Sequence, residues 1–323
     1  MNIIEDIRRP IEAELENFNK LFETTLSQAD GLLGQICQGI TKRKGKQMRP
    51  ILVILVAKEY GNVNPSAYYS ALTLELLHNA SLVHDDIVDE SDQRRGEPSV
   101  RALFGNKAAV LAGDYLLSSS LESASLSGNL EIVKNVSLLG KQLSEGEIIQ
   151  LTNTRHNDFS EDTYYQVIKL KTASLFATAA RLGAISANQN DNVAKQMERC
   201  GEIIGLCFQI RDDIFDYYNN NVGKPTGNDM LEGKLTLPAI HALNSTKNPA
   251  MLAIAEKVKK GSATPQEIAQ LVEFTKQNGG IDYAYACMKK LSDEAKALIA
   301  NFRNAEILQA LTAYIDFVSQ RTI

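Results

Sequence analysis

No apolar run in this chain is long enough to cross a bilayer. The longest, Ile51–Ala57, falls far short of the roughly 20 residues that a spanning helix needs. No Cys-x-x-Cys pair occurs; Cys37, Cys200, Cys207 and Cys287 are scattered and read as reduced, mostly buried thiols. The first residues, MNIIEDIRRPIEAELENF, lack a signal-peptide core and read as an amphipathic helix, so the expected location is cytoplasmic. A formal net charge of −5 argues against nucleic acid as the main partner. The P-loop pattern Gly-x4-Gly-Lys-Ser/Thr is missing, and no Ser–His–Asp set is evident. Proline and glycine are sparse, at 8 and 20 of 323 residues, which leaves long uninterrupted windows.

Those windows carry helical periodicity. Ile4, Ile7, Ile11, Leu15, Phe18 and Phe22 recur at spacings of three and four, as do Leu291, Ala295, Leu298 and Phe302. Leu308, Leu311, Ile315 and Val318 continue the pattern, and no run of strand alternation is bounded by turns. Polar breaks fall near Gly61–Pro65, Asn153–Glu161, Asn188–Asn192, Asn219–Asn228, Asn244–Pro249 and Gly261–Pro265. None has the length or bias of an interdomain linker, and no repeat of fixed period appears. Length alone allows two domains. An apolar content of 44% with this patterning predicts an all-α fold, a single large helical bundle over residues 1–323.

Two acidic clusters stand out. Asp85-Asp86-Ile87-Val88-Asp89 and Asp212-Asp213-Ile214-Phe215-Asp216 each end an apolar, helix-patterned stretch. Residues four apart share a helix face, so Asp85 points with Asp89 and Asp212 with Asp216. Carboxylates held that close repel, and burying them without a partner is costly. Mg²⁺ is the natural partner, because it takes oxygen ligands and bridges carboxylates to phosphates. Two such clusters suggest one diphosphate clamped from both sides by metal. A single cluster reads more simply as a solvated helix end; the second copy in matching context shifts the balance.

Basic residues collect nearby. Arg94 and Arg95 follow the first cluster, and Lys46 and Arg49 lie three apart in the upstream GKQMRP stretch with Gly45. Arginine forks onto phosphate oxygens and lysine acts as a point charge. His78 lies two helical turns before Asp85 on nearly the same face, whereas His84 points elsewhere; His156 and His241 have no supporting context. Lys171-Thr172 sits on a helical pattern. Lys224, flanked by glycine in a loop before Lys234, is suited to closing over phosphate.

With these segments assembled, the chain resembles the trans-isoprenyl diphosphate synthases. The resemblance rests on GKQMRP at 45–50, LLHNASLVHDDIVDESDQRRG at 76–96, AVLAGDYLL at 109–117, KT at 171–172, FQIRDDIFDY at 208–217 and GKPTGNDMLEGKLTLP at 223–238. They span most of the chain. The resemblance implies an isoprenoid-synthase-type bundle with a central hydrophobic tunnel. It implies Mg²⁺, three ions with substrate bound and replaceable by Mn²⁺, held by Asp85, Asp89 and Asp212 with Asp86, Asp213 and Asp216 in support. Arg94, Lys171, Thr172, Gln209, Lys224 and Lys234 would serve the allylic diphosphate, with Lys171 and Lys224 counted among the catalytic groups. Gly45, Lys46, Arg49, His78 and Arg95 would hold isopentenyl diphosphate. A homodimer is implied, with transient membrane contact for product release.

Product length is read one turn below the metal site. Ala80 and Ser81 are small there, and Leu77 and Leu74 lie deeper. One helical turn is about 5.4 Å, close to one isoprene unit. Relatives that stop at short products usually place an aromatic at that level. The expectation is therefore a long-chain all-trans synthase of the kind that makes quinone side chains, primed by farnesyl diphosphate. The alternatives are a farnesyl or geranylgeranyl diphosphate synthase, a terpene cyclase, and a non-catalytic synthase subunit. The second aspartate-rich motif and GKQMRP speak against a cyclase, and the intact aspartates against a non-catalytic subunit.

Overall fold

The computed structural model describes residues 3–43, 45–94, 96–153, 159–218 and 226–320, and these are overwhelmingly helical. In chain order the first helices are α1 (Ile3–Arg8), α2 (Glu12–Leu26), α3 (Gly31–Lys42), α4 (Met48–Glu59), α5 (Pro65–Val88), α6 (Val100–Leu126), α7 (Leu130–Asn153) and α8 (Glu161–Ile168). There follow α9 (Ser174–Ser186), α10 (Asp191–Phe215), α11 (Asn228–Leu231), α12 (Leu237–Thr246), α13 (Pro249–Lys259), α14 (Pro265–Gln277), α15 (Gly280–Ile299) and α16 (Ala305–Ser319). The strands among the described residues are β1 (Gln93–Arg94) and β2 (Glu97–Pro98), an antiparallel hairpin after α5.

The described residues group into two compact units. One is drawn from 1–140, 178–198 and 301–313, the other from 141–177, 199–300 and 314–323.

In the first unit, α4 explains itself from composition. Ile51–Ala57 are each at most 1% exposed, so this helix is apolar all round because every face is buried. Its neighbour α5 starts where Asn64 caps the backbone N–H of Ala67 and Pro65 fits the first turn. The N-terminal segment corrects the single-helix expectation. Pro10 lacks an N–H and breaks the run into α1, a 3₁₀ turn at Arg9–Ile11 and α2. The apolar stripe survives the break, since Ile7, Ile11, Leu15, Phe18 and Phe22 are all buried.

Helices α5 and α6 form the broadest packed pair of this unit. Small residues make the approach possible. Thr73 Oγ1 donates to the Ser120 carbonyl at 3.3 Å, and Ser120 Oγ donates to the Thr73 carbonyl at 3.0 Å. One end of the seam holds His84 over Gly113, where any Cβ would meet the imidazole Nε2 at 2.2 Å. Helix α6 is bent at Gly105, whose φ of 80° suits glycine.

In the second unit, α10 packs close against the Ala173–Phe176 segment at the start of α9 because of two glycines. A Cβ on Gly201 would meet the Phe176 carbonyl oxygen at 2.2 Å, and one on Gly205 would meet Ala173 Cα at 2.5 Å. The end of α16 is fixed by Arg211. Its Nη1 donates to the Phe317 carbonyl, and its guanidinium lies 5.0–5.8 Å from the rings of Phe208, Phe215 and Phe317. The thiols match expectation: Cys37, Cys200 and Cys207 are buried, and burial pushes Cys200 and Cys207 up to about 12, far from reactive range.

Candidate functional site

In the first unit the aspartates occupy the C-terminal end of α5. Asp85 is half-buried, Asp86 is 3% exposed and Asp89 is the exposed C-cap. The side chain of Asp86 turns inward, where Arg94 Nε donates to Oδ1 at 2.8 Å and Nη2 donates to the same oxygen. Arg94 comes from β1, and the hairpin is tied down by Arg43 Nη1 on the Pro98 carbonyl at 2.8 Å. A cavity of about 50 Å³ lies here, lined by Arg43, Asn79, Val83, Asp86, Arg94 and Ser99 among others. Arg94 is thus engaged by a carboxylate of its own chain. Gly45 and Lys46 lie just before α4 and Arg49 in its first turn; Lys46 is exposed and Arg49 half-buried. Gln47, at φ 55°, turns the chain into that helix and donates to Asn19 at 2.8 Å. His78 is half-buried on the α5 face that carries Asp85.

The second cluster repeats the plan in the second unit. Asp212 is exposed, Asp213 is 3% exposed, and Asp216 follows the last residue of α10. Asp213 receives Tyr164 Oη at 2.6 Å and Gln209 Nε2 at 2.8 Å. Gln209 Oε1 in turn accepts from Thr172 Oγ1 at 2.7 Å. Asp216 accepts the backbone N–H groups of Asn228 at 2.9 Å and Asp229 at 3.1 Å. A cavity of about 200 Å³ brings Lys171, Thr172, Gln209, Asp213, Asp229 and Lys234 onto one wall system, with Lys259 also lining it. Lys171 pairs with Glu147 at 2.5 Å and Lys234 with Glu232 at 2.7 Å.

The middle aspartate of each cluster is therefore a buried, hydrogen-bonded post; Asp89 and Asp212 are exposed, Asp85 is half-buried, and Asp216 is half-buried on two backbone N–H groups. Both clusters end a helix, where the macrodipole is negative and further negative charge is unfavourable. Burial pushes Asp213 up to about 7 against the pull of its Tyr164 and Gln209 hydrogen bonds, and Asp212 and Asp216 add to the rise. Burial likewise raises Asp229 well above the carboxylate range, with Asp213 and Asp216 contributing, and raises Asp216. A hard divalent cation relieves this strain, and an all-oxygen donor set fits Mg²⁺. Among the described residues no three acidic, histidine or cysteine groups converge on one ion position.

A pH prediction follows. The folded-state values lie above the ordinary aspartate value near 3.9, so the unfolded chain releases these protons first. Between about pH 4 and 7 the EDTA-treated protein should lose stability as pH rises, relative to Asp213→Asn, in which that proton exchange is absent. Melting temperatures of the two proteins across that range test it. A wild type that gains on Asp213→Asn with rising pH contradicts the assignment.

Lys171 and Thr172 lie in a π-helical turn, Lys169–Ala173, between α8 and α9, where a regular helix was expected. Such turns often occur at functional sites. Glycines admit it: a Cβ on Gly146 would stand 2.9 Å from Leu170 Cβ and 3.0 Å from Lys171 N, and Gly205 abuts Ala173 as above. Gly205→Ala should therefore cost about 1–3 kcal/mol by overpacking, read from the urea midpoint. An unchanged midpoint would show that the turn yields freely.

The residues proposed to set product length divide by face. Thr73, Leu77, Ala80 and His84 recur at helical spacing along the α5 edge whose ends contact Ser120 and Gly113 of α6. Leu74, His78, Ser81 and Asp85 recur along the adjacent face. Leu74, Leu77 and Ala80 are buried and Ser81 is half-buried, its Oγ on the His78 carbonyl at 2.9 Å. Arg95 and Lys224 lie outside the described residues. His84 and His241 take packing roles, His84 beside Asp114 at 3.4 Å and His241 stacked on Tyr283 at 3.7 Å.

Sequence reasoning passed over Tyr164, Asp229, Glu147 and Lys259. Tyr164 sits two helical turns before Lys171, and Asp229 lies between the glycines of the 223–238 segment, so both had a signal. Lys259 had none.

Comparison with known proteins adds the following. A family model described as Polyprenyl synthetase matches residues 30–275. The chain is similar to octaprenyl diphosphate synthase of Haemophilus influenzae, 32% identical over 310 residues, covering 95% of this chain and 94% of that protein. Its structure is similar to the crystal structure of geranylgeranyl pyrophosphate synthase from Bacteroides thetaiotaomicron, with TM-score 0.88, 48% identity, and 99% and 100% of the two chains covered. It is also similar to a decaprenyl diphosphate synthase from Rhodobacter capsulatus, with TM-score 0.91, 29% identity, and 98% and 99% covered.

Proposed function

This chain belongs to the polyprenyl synthetase family and is a prenyl-transferring enzyme, and from that premise we propose that it elongates an allylic diphosphate by head-to-tail condensation with isopentenyl diphosphate. The observation that carries the reading is the repeated build of the aspartate clusters. In each, a buried middle aspartate is pinned by hydrogen bonds while outer carboxylates stand at a negative helix end.

In this reading Asp85, Asp89 and Asp212 would hold Mg²⁺ at the allylic diphosphate, and Asp86, Asp213 and Asp216 would keep those carboxylates in place. When bound, Mg²⁺ stabilises the negative charge that develops on the departing diphosphate. Lys171, Thr172 and Gln209 line the same cavity as Asp213 and present a charge and hydrogen-bond donors to phosphate oxygens. Arg94, Lys224 and Lys234 would serve the same diphosphate. Gly45, Lys46, Arg49, His78 and Arg95 receive isopentenyl diphosphate. Breaking the allylic C–O bond leaves a carbocation, the isopentenyl double bond attacks it, and the released diphosphate takes the proton. No protein nucleophile is required.

The single-domain organisation of the whole chain belongs to the same proposal, as do a cytoplasmic location and transient membrane contact for product release. No described helix is long and apolar enough to span a membrane. A homodimer is supported by Val110, Leu111 and Leu121, which are 41%, 68% and 45% exposed on α6.

The small Ser81 one turn below Asp85 supports a long-chain product for quinone side chains, primed by farnesyl diphosphate. A shorter, geranylgeranyl product is favoured by the 48% identity to a protein described by that activity. Labelled isopentenyl diphosphate tests the reaction itself. Its carbon should enter an allylic product only when an allylic primer and Mg²⁺ are both supplied; product formed from the primer alone would mark a cyclase instead.

A further inference from the structure

Glu147 has no role in the reaction as described, yet it grips the lysine that faces the diphosphate. Glu147 Oε2 lies 2.5 Å from Lys171 Nζ, with the side chains 18% and 24% exposed. Its other oxygen accepts from Gln150 Nε2 at 3.3 Å, and Gln150 lines the same cavity as Lys171. The backbone enforces the pairing, because Gly146 lets α7 press against Leu170 and Lys171 in the π-helical turn. A lysine has a flexible four-carbon stem and does not hold its own direction. A mostly buried carboxylate on a close-packed helix supplies that direction and is less screened than a surface partner.

The same carboxylate neutralises part of the charge that Lys171 offers an anion. Each condensation leaves a diphosphate behind, and the elongated chain carries the diphosphate that came with isopentenyl diphosphate. The spent anion must leave before the next round begins. We propose that Glu147 is a positioning residue that aims Lys171 into the cavity and, as its counter-charge, loosens diphosphate enough for release between rounds. The proposal rests on the reading that Lys171 contacts the allylic diphosphate.

The test uses the full-length chain with inorganic diphosphate and Mg²⁺ as the probe, measured by calorimetry beside steady-state kinetics. Glu147→Gln keeps the shape and an oxygen for Lys171 but removes the charge. It should bind diphosphate about fivefold tighter, the scale of a partly exposed ion pair. The KM for the allylic primer should fall by a similar factor, kcat should fall as release slows, and the KM for isopentenyl diphosphate should stay put. Glu147→Asp retains the charge and should stay within about twofold of wild-type diphosphate affinity. In a Lys171→Ala background Glu147→Gln should change nothing further. Weaker or unchanged diphosphate binding in Glu147→Gln overturns the proposal, as does an equal effect without Lys171 or an Asp variant that tightens like Gln. Diphosphate binding needs no prenyl transfer, so a wild type that binds diphosphate but fails to elongate would refute the reaction and leave this pair standing.

Discussion

Asp85→Ala and Asp212→Ala should each lower turnover by about a thousandfold or more while the melting temperature holds or rises. Asp212 is exposed and Asp85 half-buried, and each sits at the C-terminal end of a helix with a second carboxylate one turn away. At both positions the helix dipole and the neighbouring carboxylates oppose a negative charge. Losing either removes an oxygen that neutralises the departing diphosphate. The middle aspartates should behave in the opposite way. Asp86→Ala leaves Arg94 without its buried acceptor, and Asp213→Ala strips Tyr164 and Gln209 of theirs. Those variants should lose stability by about 1–3 kcal/mol in addition to activity. Denaturation midpoints beside kcat for the four variants separate posts from ligands. Full turnover in Asp212→Ala, or a destabilised Asp212→Ala with a stable Asp213→Ala, would invert the assignment.

Ser81→Phe should shorten the main product toward farnesyl or geranylgeranyl diphosphate, and Ala80→Phe should not. Ser81 shares its helix face with Asp85 and lies one turn, about 5.4 Å, below it. An aromatic ring there adds a large apolar body on the path down from the metal face. Ser81 is half-buried rather than sealed in the core, and the loss of its bond to the His78 carbonyl is minor. Ala80 is 2% exposed and falls on the α5 edge between the Thr73–Ser120 and His84–Gly113 contacts. A ring at Ala80 overpacks that seam and should cost about 1–3 kcal/mol or prevent folding. Chromatography of dephosphorylated products, with a melting curve for each variant, tests both. A stable Ser81→Phe with unchanged product length would remove Ser81 as the ruler.

Much of this arrangement was legible in the sequence. The stretches that lead into the two acidic clusters announce themselves as helical through their apolar patterning, and both clusters mark helix ends as read. The equivalence of the two clusters extends from letters to structure, down to the buried middle aspartate. Pro10 was visible in the sequence, and its interruption of the first helix follows from the missing N–H. The π-helical turn was not legible, because it depends on Gly146 and Gly205 meeting residues far away in sequence. Glu147 escaped for the same reason, its partner Lys171 being 24 positions away, whereas Tyr164 had a local signal but its bond to Asp213 spans 49 positions. Local spacing brought Ala80 and Ser81 together as neighbours; only the seam with α6 divides them.

The central claim is a condensation that consumes isopentenyl diphosphate, and product mass tests it most directly. Wild-type protein supplied with farnesyl diphosphate, isopentenyl diphosphate and Mg²⁺ should give dephosphorylated alcohols whose masses rise in isoprene steps to a long-chain limit. The ladder should vanish in EDTA. A product formed without isopentenyl diphosphate, or an unextended farnesyl chain at every enzyme concentration, would contradict the account.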